Sequence, residues 1–584
     1  MHDSASRLID LLVLAAVMAL LAGCPPGDDP TPSATDPAAG AAPPAGPPIA
    51  FVSDAGLLDQ EVIYDNGEAD GTFAIVESLG GGVGVLDFDN DGRDDLVIPG
   101  GGRFDDQTRP QPLESGGVRL LRQTGRDGDR LLWEDVTGAA GLGSEGIGTT
   151  RHYVHGAACC DYDNDGFRDV LLTGYGGVQL LRNRTDGTFE DVTDASGLDA
   201  DTLWSSSAAW GDLDRDGRAD LYITHYVNWS PENDPYCGTS QQQDVCAPKQ
   251  FDPLPDAVFL QQPDGTFARA AVELPPGKGL AVMLADLDGD RDLDVLVAND
   301  TTPNFFLRND TPPGGELVLV EEGQPMGLAL DDMSAANGSM GIALTDFNND
   351  TRPDLWVTNF ESELFALYRN EGVGGFTHVS RRLGINRIGT LMVSFGCVAG
   401  DFDADGDEDV AIANGHIVHH PTNAPLRQKP VLLTADGGKF VRAEPGGYFS
   451  EPHLGRGLAT GDFDRDGRLD LVYAHTLEPY ELLLNRTPTE GETRVLRLVG
   501  TVDAREPAGT AVVATLASGR TLYRQLAGGT SYLSSSSPII HLAWPSDDPL
   551  RSIEVRWPST DPVTLPADAL VPGDTGEVVI TQGE

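Results

Sequence analysis

Val85 to Pro99 reads VLDFDNDGRDDLVIP. Asp87, Asp89, Asp91 and Asp95 stand at positions 1, 3, 5 and 9 of a D-x-D-x-D-G-x-x-D loop, and Gly92 stands at position 6. Oxygen ligands at alternate positions suit a hard cation that takes roughly six to eight oxygens, and the glycine permits a sharp turn. Six further copies begin at Asp161 (DYDNDGFRD), Asp212 (DLDRDGRAD), Asp286 (DLDGDRDLD), Asp346 (DFNNDTRPD), Asp401 (DFDADGDED) and Asp462 (DFDRDGRLD). Their spacings are 74, 51, 74, 60, 55 and 61 residues, the signature of a repeat architecture.

Calcium is the expected ion, up to seven of them, in a structural role. Beyond the first loop the candidate ligands are Asp161, Asp163, Asp165 and Asp169; Asp212, Asp214, Asp216 and Asp220; Asp286, Asp288, Asp290 and Asp294; Asp346, Asn348, Asp350 and Asp354; Asp401, Asp403, Asp405 and Asp409; and Asp462, Asp464, Asp466 and Asp470. A loop of carboxylates repels itself until a cation arrives, so metal binding is folding free energy. Arg291 and Thr351 replace glycine at position 6, and Asn348 brings no charge, so the fourth and fifth loops are expected to bind weakly or not at all. These are not EF-hands. Position 12 is Ile98, Leu172, Ile223 or Tyr473 in four copies, where an EF-hand needs Glu.

Short β-branched runs follow the loops (DLVI, DVLL, DLYI) and Gly-rich apolar runs precede them, so each loop joins two strands. A third strand follows, as VRLLRQ (118–123), VQLLRN (178–183), AVFLQQ (257–262), NFFLRN (304–309), LFALYRN (364–370), PVLLTA (430–435) and YELLLN (480–485). Most units then show a fourth, as in FEDVTDASGL (189–198). Four-stranded repeats predict an all-β, seven-bladed β-propeller over residues 49–488. The seventh unit lacks a fourth strand, and residues 50–57 (AFVSDAGL) resemble the missing piece, so the N-terminal strand is expected to close the ring.

The chain has 584 residues and a formal net charge of −52. Such a surface repels nucleic acid and anionic lipid headgroups. Residues 1–23 hold an apolar run, Leu11 to Leu21, too short to span a bilayer as a lone helix. It ends in Leu21-Ala22-Gly23-Cys24, which resembles a bacterial lipoprotein signal cleaved before a Cys that is then lipidated. An ordinary secretory signal is the plainer reading. Residues 24–48 are a Pro/Ala-rich tether, and Pro25 after the Cys favours the outer membrane over retention.

Eight of the eleven histidines fall just before a first strand or just after a second: His152, His155, His225, His416, His419, His420, His453 and His475. In a blade those ends lie opposite the acidic loops. With Asp300, Asn359 and Glu361 they form a possible ligand face for a first-row metal or an anionic sugar. The plainer reading is polar residues populating loops. No nucleophile elbow, Walker loop or HExxH occurs, so no catalytic residue is assigned, and Ser534–Ser537 reads as a loop without a base partner.

Cys237 and Cys246 flank an insertion in the third unit and are expected to form a disulfide in an oxidising compartment. Cys159 and Cys160 are adjacent, and three arrangements stay open: buried thiols, a vicinal pair, or a bond from one to Cys397. Beyond residue 489 the acidic loops stop and alternation takes over (RVLRLVG, GTAVVATL, RTLYRQL), giving a small all-β domain over 489–584.

The loops with their strands resemble FG-GAP/VCBS repeats of the integrin α-subunit kind. The tail around Gly509, Gly519, Gly529, Ser531, Tyr532, Leu533, His541 and Trp557 resembles the ASPIC/UnbV domain. Together they are similar to the cartilage-acidic-protein-like family. That resemblance implies extracellular calcium binding and adhesion or carbohydrate contact, with no established reaction. The expected role is therefore a lipid-anchored, calcium-binding scaffold for an extracellular protein or carbohydrate. The rival is a polysaccharide-active or metal-dependent enzyme using the His-bearing face.

Overall fold

The computed structural model describes residues 49–68, 71–104, 113–143, 152–239 and 241–583. Residues 1–48, where the signal, the lipidated Cys24 and the tether are expected, lie outside the described residues. Seven four-stranded antiparallel sheets follow one another along residues 51–485. The first comprises Gly84–Leu86, Asp95–Pro99, Val118–Asp127 and Arg130–Asp135, and each later blade repeats that order. The first strands lie side by side around a ring, and that of the last blade, Gly455–Gly461, returns to that of the first. The chain folds as a β-propeller. Its apolar residues fill the spaces between blades; Val97, Leu120, Ala157, Val170 and Leu172, for example, form one buried cluster across the first and second.

The ring closes through the N-terminal strand. Phe51–Ser53 pairs antiparallel with Glu481–Asn485, Phe51 opposite Asn485, and so becomes the outer strand of the last blade. Asp54 follows, buried, and caps a short helix by accepting from Leu57 N. It also accepts from Leu131 N at 2.9 Å and Trp133 Nε1 at 3.0 Å, which ties the last blade to the first.

Residues 489–584 form two small sheets. Glu492–Val499 lies between Ile539–Trp544 and a parallel Glu577–Thr581, and Ala511–Leu516 lies between Thr521–Gln525 and Leu550–Arg556. Leu496, Val512, Leu542, Ile553 and Trp557 are buried between them. This part packs on the acidic-loop side of the ring: Arg505 Nε lies 3.1 Å from Asp161 Oδ2, Arg291 Nη1 donates to Thr560 O, and His541 Nε2 lies 3.0 Å from Gly467 O.

The serine run has a definite place. Residues 527–538 enter the centre of the ring, where the first strands present sheet edges with unpaired backbone groups. The loop satisfies them one blade after another. Val85 N donates to Ser535 O, Ala157 N to Leu533 O, Leu284 N to Gly528 O, and Ile342 N to Ser531 O. Tyr532, at the tip, is fully buried against Phe395.

Candidate metal centres and the His-bearing face

All seven loops curl alike. Position 4 is left-handed in every copy: Asn90, Asn164, Arg215, Gly289, Asn349, Ala404 and Arg465 have φ between 54° and 90°. Position 6 is left-handed too, at 79° in Gly92 and still at 73° in Arg291 and 67° in Thr351. The two replacements thus keep the turn, at a steric cost that glycine avoids. The double turn aims backbone amides at the first carboxylate. Asp91 N donates to Asp87 Oδ1 at 3.0 Å and Gly92 N to Asp87 Oδ2 at 2.7 Å. The same pair of bonds recurs at Asp161, Asp212, Asp346, Asp401 and Asp462. In the fourth loop Asp286 Oδ1 receives Gly289 N in place of the position-5 amide, while the backbone of Arg291 still bonds Asp286.

The carboxylates converge. One oxygen from each of Asp87, Asp89 and Asp95 lies within 4.8 Å of the others, as do those of Asp161, Asp163 and Asp169, and of Asp401, Asp403 and Asp409. In the third and fourth loops position 5 takes the place of position 9, as Asp212, Asp214, Asp216 and as Asp286, Asp288, Asp290. Burial is the largest influence on the first carboxylate of each loop. With neighbouring Asp94, Asp91 and Asp89 it pushes Asp87 up to about 6, and burial with Asp214 and Asp503 pushes Asp212 up to about 7. A further mark is common to four loops. Asp89 Oδ1, Asp214 Oδ1, Asp403 Oδ1 and Asp464 Oδ1, all at position 3, are buried without a hydrogen-bond partner among the described residues. All-oxygen donors, crowded negative charge and an orphaned inner oxygen fit a hard divalent cation.

Arginines also reach these loops. Arg218, Arg352 and Arg468 pair with the position-5 Asp216, Asp350 and Asp466, and Arg486 Nη2 lies 2.7 Å from Asp464 Oδ2.

Position 9 has a second duty. Asp169 Oδ2 accepts from Tyr162 N, while its Oδ1 accepts from Asn183 N at the end of the third strand. The Asn183 side chain then donates to Phe88 O in the preceding blade, at 2.8 Å. The arrangement recurs in Asn309 to Leu213 O, Asn370 to Leu287 O and Asn485 to Phe402 O, and with glutamine in Gln123 to Phe463 O and Gln261 to Tyr162 O. The sixth blade has Ala435 there and lacks the bond. These side chains end the third-strand segments LLRQ, LLRN, FLQ, FLRN, LYRN and LLLN, so a shared terminal amide was the available sequence signal.

On the opposite side the histidines are engaged one by one. His225 bonds Pro255 O through Nδ1 at 2.7 Å and Asp201 Oδ1 through Nε2 at 3.1 Å. Burial opposes its charge, yet Asp201 lifts it above the ordinary value, and Asp201 is lowered in turn. His475 lies between Pro479 O at 2.6 Å and the Tyr448 hydroxyl at 2.7 Å, and burial pushes it down to about 3. His453 stacks on Tyr448 and faces Glu478 at 3.1 Å. His152 Nε2 lies 3.1 Å from Val178 O, and His155 Nδ1 3.2 Å from Tyr64 Oη. His419 Nδ1 lies 3.1 Å from Glu68 Oε1, and the backbone amides of His419 and His420 donate to Asp244.

His416 accepts from Val418 N on Nδ1, which leaves the proton of the neutral ring on Nε2, 3.6 Å from Glu361 Oε2. A metal on that Nε2 would need either the imidazolate or the other tautomer, which gives up the bond from Val418 N. Asp300 accepts from Tyr226 Oη at 2.5 Å, and Asn359 donates to Leu364 O. Between these groups Tyr64, Trp204, Tyr226, Trp229, Phe395 and Tyr532 belong to one buried apolar cluster. Cys237 and Cys246 are disulfide-bonded, with Cys246 in that cluster, whereas Cys159, Cys160 and Cys397 are free and buried.

Residues 161–223, 286–357 and 346–412 match the FG-GAP-like repeat, and residues 500–577 match ASPIC and UnbV. The chain is an FG-GAP repeat β-propeller that carries an ASPIC/UnbV domain. It is similar to proteins named cartilage acidic protein 1: 24% identical over 494 residues to that of Mus musculus, covering 81% of this chain and 70% of the relative. It is 25% identical over 422 residues to that of Xenopus tropicalis and 24% over 425 to that of Homo sapiens, each covering 68% of this chain. The match spans 60% and 59% of those two relatives. Among solved structures, an Agrocybe aegerita lectin that recognises non-reducing terminal N-acetylglucosamine aligns at TM-score 0.36 with 17% identity, over 61% of this chain and 77% of its own. BBS1N in complex with ARL6DN aligns at TM-score 0.37 with 10% identity, over 70% and 93%.

Proposed function

We propose that this protein is a calcium-binding, lipid-anchored scaffold that holds an extracellular protein or carbohydrate outside the cytoplasm. The observation that carries the reading is the common curl of the seven loops, which gathers carboxylates and in four of them leaves a position-3 oxygen without a partner among the described residues. Each ion stiffens a hairpin between first and second strands, so calcium sets the rigidity of the ring and catalyses nothing. The relatives' repeats and tail domain support the same reading.

Cys24 provides the lipid anchor, at the outer membrane, and residues 25–48 the spacer. The acidic-loop side is occupied by the C-terminal domain, so the partner meets the other side. There the disulfide-bridged insertion holds Tyr236 outward, 62% exposed, an aromatic anchor of the kind binding surfaces use. The net charge of −52 argues against nucleic acid as that partner.

The test is to probe glycan and matrix-protein arrays with the tagged chain in calcium and in EGTA. Calcium-dependent capture that Tyr236→Ala abolishes supports the scaffold. Turnover of a polysaccharide by the wild type, lost in His416→Ala, would favour the enzyme reading instead.

A further inference from the structure

Where the C-terminal domain enters the ring, a cavity of about 190 Å³ remains beside the inserted loop. Its walls come from the second, third, fifth, sixth and seventh blades and from residues 506–541. Four charged groups on those walls form two pairs, and the carboxyl of Asp346 lies beside them. Arg168 forks onto Glu506 at 2.7 and 3.1 Å, and Arg524 Nε lies 3.2 Å from Glu408 Oε1. His541, with Nε2 directed at Gly467 O, is held neutral by burial. Beyond these the walls offer apolar surface, Ala209, Val398 and Leu469 among it, and hydroxyl and amide groups: Thr345, Thr460, Ser535, Ser536 and Gln525. Several of them keep unused capacity. Thr345 Oγ1, Gln525 Oε1 and Arg524 Nη2 are buried with no partner among the described residues.

We propose that this cavity is a built site for a neutral hydroxylic guest, a molecule whose O–H groups both donate and accept. An anion would meet the carboxyl groups of Glu408, Glu506 and Asp346; a cation would meet Arg168 and Arg524. An apolar guest would leave Thr345 Oγ1 and Gln525 Oε1 unpaired. The space is below that of drug-sized pockets. It takes about six waters at the volume water occupies in the liquid, or one small polyol. The guest would bond the inserted loop to the ring where direct contact is missing.

Two sources share this chemistry, and crystals of the full chain separate them. Grown and frozen without polyols, they should show a hydrogen-bonded cluster of ordered waters touching Thr345, Thr460 and Ser536. Soaked in erythritol, they show either the same waters or the tetraol on the same partners, and both results support the site. Thr345→Val, which keeps shape and removes one hydroxyl, should lose one ordered contact while the fold stands. A cavity without density, or one holding an ion with anomalous signal, overturns the proposal.

Discussion

Gln123 donates its side-chain amide to the carbonyl of Phe463 at 2.8 Å, across 340 positions of the chain. The bond joins the first blade to the last and is the closing member of a series in which Asn183, Gln261, Asn309, Asn370 and Asn485 each reach the preceding blade. Each is buried, so its loss leaves a carbonyl without a partner. Gln123→Leu should destabilise the ring by about 1–3 kcal/mol. Chemical denaturation of the variant in calcium checks it, with an exposed substitution such as Arg130→Gln near zero.

The N-terminal strand makes the second tie. Removing residues 49–57 takes away the outer strand of the last blade and the Asp54 bonds to Leu131 and Trp133. The deleted chain should melt well below the full one in a thermal scan. An equal melting temperature would mean that the ring does not depend on this strand.

Thr351 holds φ at 67° in a position that glycine fills in five of the other loops. A β-branched residue pays sterically there. Thr351→Gly should therefore stabilise the chain by roughly 1 kcal/mol. The reverse change is more harmful, since a Cβ on Gly92 would meet Thr575 Cγ2 and Arg465 Nη2 at 2.6 Å. Gly92→Ala should lower stability, and denaturation curves for the two variants should move in opposite directions.

His225 and Asp201 form a buried ion pair, and its pH window follows from the two shifts. Asp201 is lowered from 3.8, so its contribution is present above that value and fades as pH falls through the folded-state value. His225 is raised from 6.5, so its contribution is full below that value and fades as pH rises through its folded-state value. Asp201→Asn, which takes away the carboxylate bonded to the His225 ring and leaves only Asp256 near it, should cost about 3 kcal/mol between those limits. The difference from wild type should shrink on either side, as read from denaturation at a series of pH values.

Much of this was legible in the letters. The Asp and Gly spacing marked the turns, β-branched runs marked the strands around them, and AFVSDAGL matched a missing fourth strand. These features are local, and period-two or fixed-spacing patterns record them. What the letters hid are relations between distant segments. The terminal amides of the third strands stood in plain view, but their partners are carbonyls of the neighbouring blade. The serine run looked like a loop without a base partner because its partners are backbone amides up to 451 residues away, such as Val83 N to Ser534 Oγ. The histidines drew attention by type, whereas His225 and His475 spend both ring nitrogens on partners no more than 30 residues away in the chain.

Isothermal calorimetry of the chain from residue 49 onward, stripped with EGTA and titrated with calcium, tests the central claim most directly. The loop geometry predicts uptake of at least five ions, with a rise in melting temperature as they bind. A flat titration, with no change in melting temperature, would contradict it.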